Sequence, residues 1–119
     1  VLESTAFQTR DVLEAMELDA DIDLASLKVD GGMVVNDILM QFQADMLDVD
    51  VVRPKISETT VLGAAYAAGL AVGFWESLEE IASHWAEDRT FTPTMDSGDR
   101  ERQFREWRKA VERSMGWVE

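Results

Sequence analysis

The chain has 119 residues, a formal net charge of -13 and no cysteine. That length admits one domain or part of one, the absence of thiols excludes disulfides and cysteine-ligated metal, and so acidic a surface repels nucleic acid. The longest apolar stretch, Val61–Trp75, is mostly Ala and Gly and falls short of the ~20 strongly apolar residues of a bilayer span; with no secretory signal read in it, a soluble cytoplasmic protein is expected.

Leu2, Ala6, Thr9, Leu13 and Met16, with Val12 at the side, recur at three- and four-residue steps and predict a first helix with one buried face. Asp19-Ala20-Asp21-Ile22-Asp23 ends it. These aspartates imitate the opening of a calcium loop, yet Leu24 stands where that loop demands glycine and Asp30 where it prefers glutamate, so no metal is assigned there.

Ala25–Val29 predicts a short strand leading into Asp30-Gly31-Gly32. Two adjacent glycines permit positive φ and leave no Cβ in the way, so a flat or charged ligand can approach the main chain, and the following helix aims its positive end at the same spot. The plainer alternative is a simple turn. The pattern is neither a P-loop, which needs Gly-Lys-Ser/Thr, nor the spaced glycine triplet of a dinucleotide fold. Asp30 is read as a strand-end aspartate capping the turn rather than as a magnesium ligand.

Asn36 is placed to cap the next helix, whose Ile38, Leu39, Phe42, Met46 and Leu47 form a buried stripe, with Asp48-Val49-Asp50 closing it. Val49–Arg53, bounded by Pro54, predicts a second strand, and a strand, helix, strand unit of this length is parallel and right-handed. Thr59 or Thr60 then caps a third helix in which Gly63, Ala64, Ala65, Ala67, Ala68 and Gly69 provide little bulk. Glycine costs ~1 kcal/mol against alanine in a helix interior, so two of them imply close packing or a ligand, packing being the preferred reading.

Glu76–Glu87 is expected as a short amphipathic helix carrying Leu78, Ile81, Ala82 and Trp85, and Thr90–Gly98 as a surface loop. Asp99 opens the last helix, with Phe104, Trp107, Val111 and Met115 on one face. Its basic residues Arg100, Arg102, Arg105, Arg108, Lys109 and Arg113 alternate with Asp99, Glu101, Glu106 and Glu112, which reads as a solvated, ion-paired helix rather than a nucleic-acid patch. His84, the single histidine, has no partner nucleophile and the serines have no Gly-x-Ser-x-Gly context, so no catalytic residue is assigned.

Asp30-Gly31-Gly32-Met33-Val34-Val35-Asn36-Asp37-Ile38-Leu39-Met40-Gln41-Phe42-Gln43-Ala44-Asp45 closely resembles the adenosine-binding segment of the FGGY carbohydrate kinase family, its glycerol kinases in particular. Gln8–Met16, Arg53-Pro54, and Thr60-Val61-Leu62-Gly63-Ala64-Ala65-Tyr66 through Gly69–Trp75 resemble successive pieces of the same enzymes in the same order. The similarity resumes from Phe104 to Trp117, at Trp107, Lys109-Ala110 and Met115. The resemblance implies the last quarter of a two-domain ATP-dependent kinase. The implied fold class is α/β: residues 1–119 as part of a ribonuclease H-like carboxyl-terminal nucleotide-binding domain of the actin and sugar kinase ATPase superfamily, helix-rich with two visible short strands.

The same resemblance implies that Gly31, Gly32, Met33 and Asn36 bind nucleotide: glycine backbone against the adenosine, Met33 beside the purine, the Asn36 amide hydrogen-bonded to the ligand. Its implied ligands are ATP/ADP and, in the full-length enzyme, glycerol and Mg2+. The general base, the residues that hold glycerol and most of the magnesium site belong upstream and have no counterpart here, so the chain alone is expected to be inactive. The missing upstream portion of the kinase is its expected partner; without it, an open two-stranded sheet and bared helix faces favour self-association. Pro93–Arg102 departs from the docking loop that some bacterial glycerol kinases present to a regulatory protein, so such regulation is not expected. Two alternatives stand beside this reading: another FGGY sugar or polyol kinase, acting on xylulose or gluconate, and a noncatalytic acidic helical interaction module whose Met and Trp stripes serve a partner helix.

Overall fold

The computed structural model describes residues 1–116; Trp117, where the resemblance ends, lies outside them. Helix α1 (Leu2–Ala20) opens the chain and stops where Asp21 turns left-handed at φ 54°, a conformation aspartate tolerates better than most residues. Strand β1 (Ser26–Lys28) leads through the glycine pair into a 3-10 turn (Gly32–Val35) and helix α2 (Asp37–Leu47). Strand β2 (Asp50–Pro54), helix α3 (Thr59–Ala71), a short helix α4 (Leu78–Ser83), strand β3 (Glu87–Phe91) and helix α5 (Ser97–Ser114) complete the order.

The three strands form one sheet in the order β1-β2-β3. β1 runs parallel to β2, with Leu27 opposite Val51, and β3 runs antiparallel, with Phe91 opposite Val51 and Arg89 opposite Arg53. The parallel β1-α2-β2 unit is as expected. The third strand is a correction: the stretch expected to be the end of a helix and the start of a loop pairs with β2, because Phe91 reaches the core only when Glu87–Thr90 extend along that edge. For the same reason α4 stops at Ser83 and does not run on to Glu87. Helix α5 begins two residues earlier than expected, since the Asp96 carboxylate caps it by accepting from Gly98 N at 2.8 Å.

Helix α2 is buried on two sides. Leu39, Met40 and Ala44 join Val34, Val51 and Phe91 against the sheet, and Met46 joins Ala6, Phe7 and Phe104 between α1 and α5, with Phe42, Met95 and Trp107 packed alongside. The expected stripe included Ile38, which is 81% exposed, and omitted Met40 and Ala44. The Phe7 ring meets Phe42 edge-on at 5.5 Å and stacks on Trp107 at 5.4 Å. Core packing thus accounts for Met40, Met46, Met95 and Trp107, whereas Met16, Met33, Trp85 and Met115 are exposed.

The buried face of α1 is rotated from the expected one: Ala6 and Phe7 are buried while Leu2, Val12 and Met16 are exposed. Phe7 sets the face, and the residues that share it at helical spacing are polar. Arg10 donates to Glu101 at 2.6 Å, Asp11 accepts from the Trp107 indole at 3.0 Å, and Glu14 accepts from Arg108 at 2.7 Å. Of the basic residues of α5, Arg108 pairs across the interface with α1, Arg100 pairs with Asp48 beyond the end of α2 at 2.5 Å, and Arg102 and Lys109 pair within the helix with Asp99 and Glu106 as expected.

Between β3 and α5, buried Asp45 holds the connecting loop by accepting from Thr94 N at 2.6 Å and Met95 N at 3.1 Å. Helices α3 and α4 stand apart from this body. The Cα radius of gyration is 17.9 Å, against the ~14 Å of a compact domain this long. Of the small residues of α3 only Gly69 is buried, crossed by the Trp75 ring so closely that a Cβ would lie 2.1 Å from it. A Cβ at Gly63 would meet nothing within 4 Å, so close packing within this chain explains one of the two helix glycines and not the other. Neither threonine caps α3: Glu58 precedes it without a side-chain cap bond.

Two stability outcomes are expected. Phe91→Ala is expected to cost about 3–5 kcal/mol as a cavity at the junction of sheet and α2, read from the urea midpoint at unchanged slope. Asp45→Ala, which strands two backbone donors, is expected to cost about 3 kcal/mol, and Asp45→Asn, which keeps an acceptor, distinctly less.

Candidate functional site

The glycine pair has two separate jobs. Gly31 sits at φ 87°, ψ 177°, a region essentially closed to residues with a Cβ, and its N–H donates to Ser57 O at 2.8 Å, tying the turn to the segment before α3. Gly32 already belongs to the 3-10 turn, and a Cβ there would meet nothing within 4 Å. The order of strand, glycine turn and helix is as expected, and the link between glycines and cap is four residues of 3-10 turn that present Met33 and Val35 to solvent and bury Val34.

Asn36 caps α2 as expected, its Oδ1 accepting from Leu39 N at 3.1 Å. That leaves the Nδ2 group as the polar end of the side chain not occupied by the cap. Asp30 acts at the other side of the turn, where its carboxylate accepts from the Thr59 hydroxyl in the first turn of α3. Among the described residues no group of three or more His, Cys, Asp or Glu side chains is arranged to hold a metal ion. His84 is exposed on α4's end.

Sequence reasoning missed a set of charges beneath the turn. Arg53 on β2 donates to Val34 O at 2.9 Å, to Asp37 at 2.7 Å and to Asp88 at 2.8 Å, and Arg89 on β3 takes the other oxygen of Asp37 at 2.7 Å. The hydrogen bond that Arg53 donates to the Asp37 carboxylate raises the Arg53 pKa above its ordinary value against the opposing pull of desolvation. Arg53-Pro54 stood out only through resemblance; the partners are 16 to 35 residues away in sequence, so no local pattern marks them.

Gly31, Gly32, Met33 and Asn36 are thus brought together on one exposed bend at the positive end of α2. Across Thr59 lies an apolar cavity of about 460 Å³, walled by Ile56, Leu62, Tyr66, Ile81 and Trp85. None of the four candidate residues lines it.

The model of the FGGY family of carbohydrate kinases, C-terminal domain, matches residues 1–72. The chain belongs to the FGGY family of carbohydrate kinases. A glycerol kinase of Pseudarthrobacter chlorophenolicus is 64% identical over 118 residues, which are 99% of this chain and 23% of that protein. Among solved structures, Plasmodium falciparum glycerol kinase with ADP superposes with a TM-score of 0.80 at 39% identity, covering 96% of this chain and 23% of the other. A xylulose kinase from Lactobacillus acidophilus superposes at 0.74 with 25% identity, over 98% and 24% of the two chains. The chain therefore spans about a quarter of the length of the relatives it matches. The helix-rich α/β piece of an FGGY kinase carboxyl-terminal domain is the fold expected, with one strand more than was legible.

The backbone geometry separates the two glycines experimentally. Gly31→Ala is expected to lose about 1–3 kcal/mol of stability through backbone strain, whereas Gly32→Ala is expected to leave the urea midpoint nearly unchanged.

Proposed function

We propose that this chain is the carboxyl-terminal nucleotide-binding portion of an ATP:glycerol 3-phosphotransferase, and that Gly31, Gly32, Met33 and Asn36 form its side of the adenosine site. The observation that carries the proposal is the bend itself: a glycine-only backbone, unobstructed space beside Gly32, and a capping asparagine whose amide remains available, in a chain 64% identical to a glycerol kinase. The backbone at Gly31 and Gly32 lies against the adenosine, Met33, 52% exposed, covers the purine, and Asn36 Nδ2 donates to the ligand. Phosphoryl transfer is mostly positioning and charge stabilisation, and this portion supplies positioning of the nucleotide. Glycerol, the general base and Mg2+ are assigned to the upstream portion, so this portion alone does not turn over.

Xylulose or gluconate kinase is the second reading, supported by superpositions at TM-scores of 0.74 and 0.73, but at 25% identity in each case, far below the identity to glycerol kinases. A cytoplasmic location fits a cysteine-free kinase. We also propose that the upstream portion covers β1's open edge and the exposed Val61, Val72, Phe74 and Leu78, and that the isolated chain covers them by self-association.

Asn36 has a capping role and a ligand role, and two substitutions in the complete protein separate them. Asn36→Asp keeps the cap and removes the amide donor, so it is expected to raise the Michaelis constant for ATP about tenfold, the cost of one good hydrogen bond to a ligand, with that for glycerol unchanged. Asn36→Ala is expected to show the same effect plus a loss of about 1 kcal/mol of stability. An unchanged ATP constant in Asn36→Asp removes Asn36 from the site. Light scattering of the isolated chain is expected to show a mass that rises with concentration; a monomer throughout contradicts self-association.

A further inference from the structure

The bend that carries Gly32, Met33 and Asn36 is held by little of its own. Two weak backbone bonds close the 3-10 turn, Val34 N to Gly31 O at 3.3 Å and Asn36 N to Met33 O at 3.2 Å, and Val34 alone of its side chains is buried. Short 3-10 segments have poor hydrogen-bond geometry and little intrinsic stability. Beyond the burial of Val34 and α2 and the Gly31 N–H bond to Ser57 O, the side chain that ties the bend to the sheet is Arg53. One terminal nitrogen of its guanidinium bonds both Val34 O and Asp37, the residues on either side of Val35-Asn36, while the Nε edge and the other terminal nitrogen hold Asp88. The side chain is only 14% exposed, Asp37 is braced from its second oxygen by Arg89, and both guanidinium groups lie over the Phe91 ring, at 5.3 and 4.6 Å.

We propose that Arg53 is a positioning residue for nucleotide binding: it touches no ligand, and it sets where the Gly32–Asn36 bend presents its backbone and the Asn36 amide. The inference rests on the adenosine-site reading above. A planar fork is required, because an ammonium is a single point of charge that cannot serve Asp88 on one edge and Val34 O with Asp37 on another. Arg53→Lys therefore keeps the charge and the packing of the stem while releasing the bend from one side. Errors of about 1 Å in positioning are worth up to about a hundredfold in rate or affinity, so a partial release is expected to be felt at the nucleotide.

The test is steady-state kinetics of the complete kinase with both substrates varied, for Arg53→Lys, Asn36→Asp and the double variant. Arg53→Lys is expected to raise the Michaelis constant for ATP about five- to tenfold while that for glycerol and kcat stay within about twofold. The double variant is expected to lose less than the product of the single effects, because a misplaced amide has less to contribute. Arg53→Met, which also abandons two carboxylates, is expected to have a larger ATP effect and a lower Tm; Arg53→Lys decides the matter if Arg53→Met fails to fold. An ATP constant unchanged in Arg53→Lys but raised in Asn36→Asp overturns the inference and leaves the adenosine site standing. An ATP constant unchanged in both removes the site and the inference together. Equal rises for both substrates, a fall in kcat alone, or effects that multiply in the double variant overturn the positioning role in favour of a merely structural one.

Discussion

Helix α2 is the constraint on which the rest of this structure depends. One side, through Leu39, Met40 and Ala44, forms the roof over β2 and β3; the other, through Phe42 and Met46, is the floor on which α1 and α5 sit. Among the described residues no other helix reaches both clusters. Its amino-terminal end is also where the glycine bend finishes, so burial of the helix fixes the height and direction of the candidate site. Asp45, buried late in the same helix, anchors the loop into α5. An apolar stripe wide enough for one core would not suffice; α2 is buried around much of its circumference, the polar Gln43 and Asp45 included, and Asp45 is satisfied by Thr94 and Met95.

Charge organises what the two cores leave open. In an acidic chain the few arginines are concentrated at junctions between elements: Arg10 and Arg108 join α1 to α5, Arg100 joins α5 to the end of α2, and Arg53 with Arg89 joins the sheet to the start of α2. Exposed pairs contribute little to stability, but most of these have one partner largely shielded and make several bonds at once. Their effect is on geometry, the setting of one element's register against another. At the Arg53 junction the element being set is the bend proposed as the adenosine site.

Helices α3 and α4 show the opposite condition. They contact one another through Tyr66, Trp75 and His84, and Gly69 is needed only to admit the Trp75 ring. Val61, Val72, Phe74 and Leu78 on and beside them face outward, and the chain spans about a quarter of the length of the glycerol kinases it matches. A helix with small residues on every side suits burial among several neighbours; among the described residues most of these small positions are exposed.

The local signals around the glycine bend are borne out, although the threonine cap of α3 and the length of α4 were not. A glycine pair before a capping asparagine determined a turn, a cap and a helix start, because each depends on φ, a side-chain acceptor and three or four neighbouring residues. The strand, helix, strand unit followed from alternation and length, and the family from a continuous run of residues around the bend. Tertiary structure alone decided the rest. Phe91 became a strand residue because β2 offered an edge and α2 a hole beside it. The buried face of α1 turned toward Phe7 because its polar neighbours found partners on α5, which hydropathy counts as surface. Arg53 was joined to Val34, Asp37 and Asp88 by folding, since an ion pair between distant segments leaves no periodic trace in either of them. Periodicity records which residues avoid water; it does not record which charges meet.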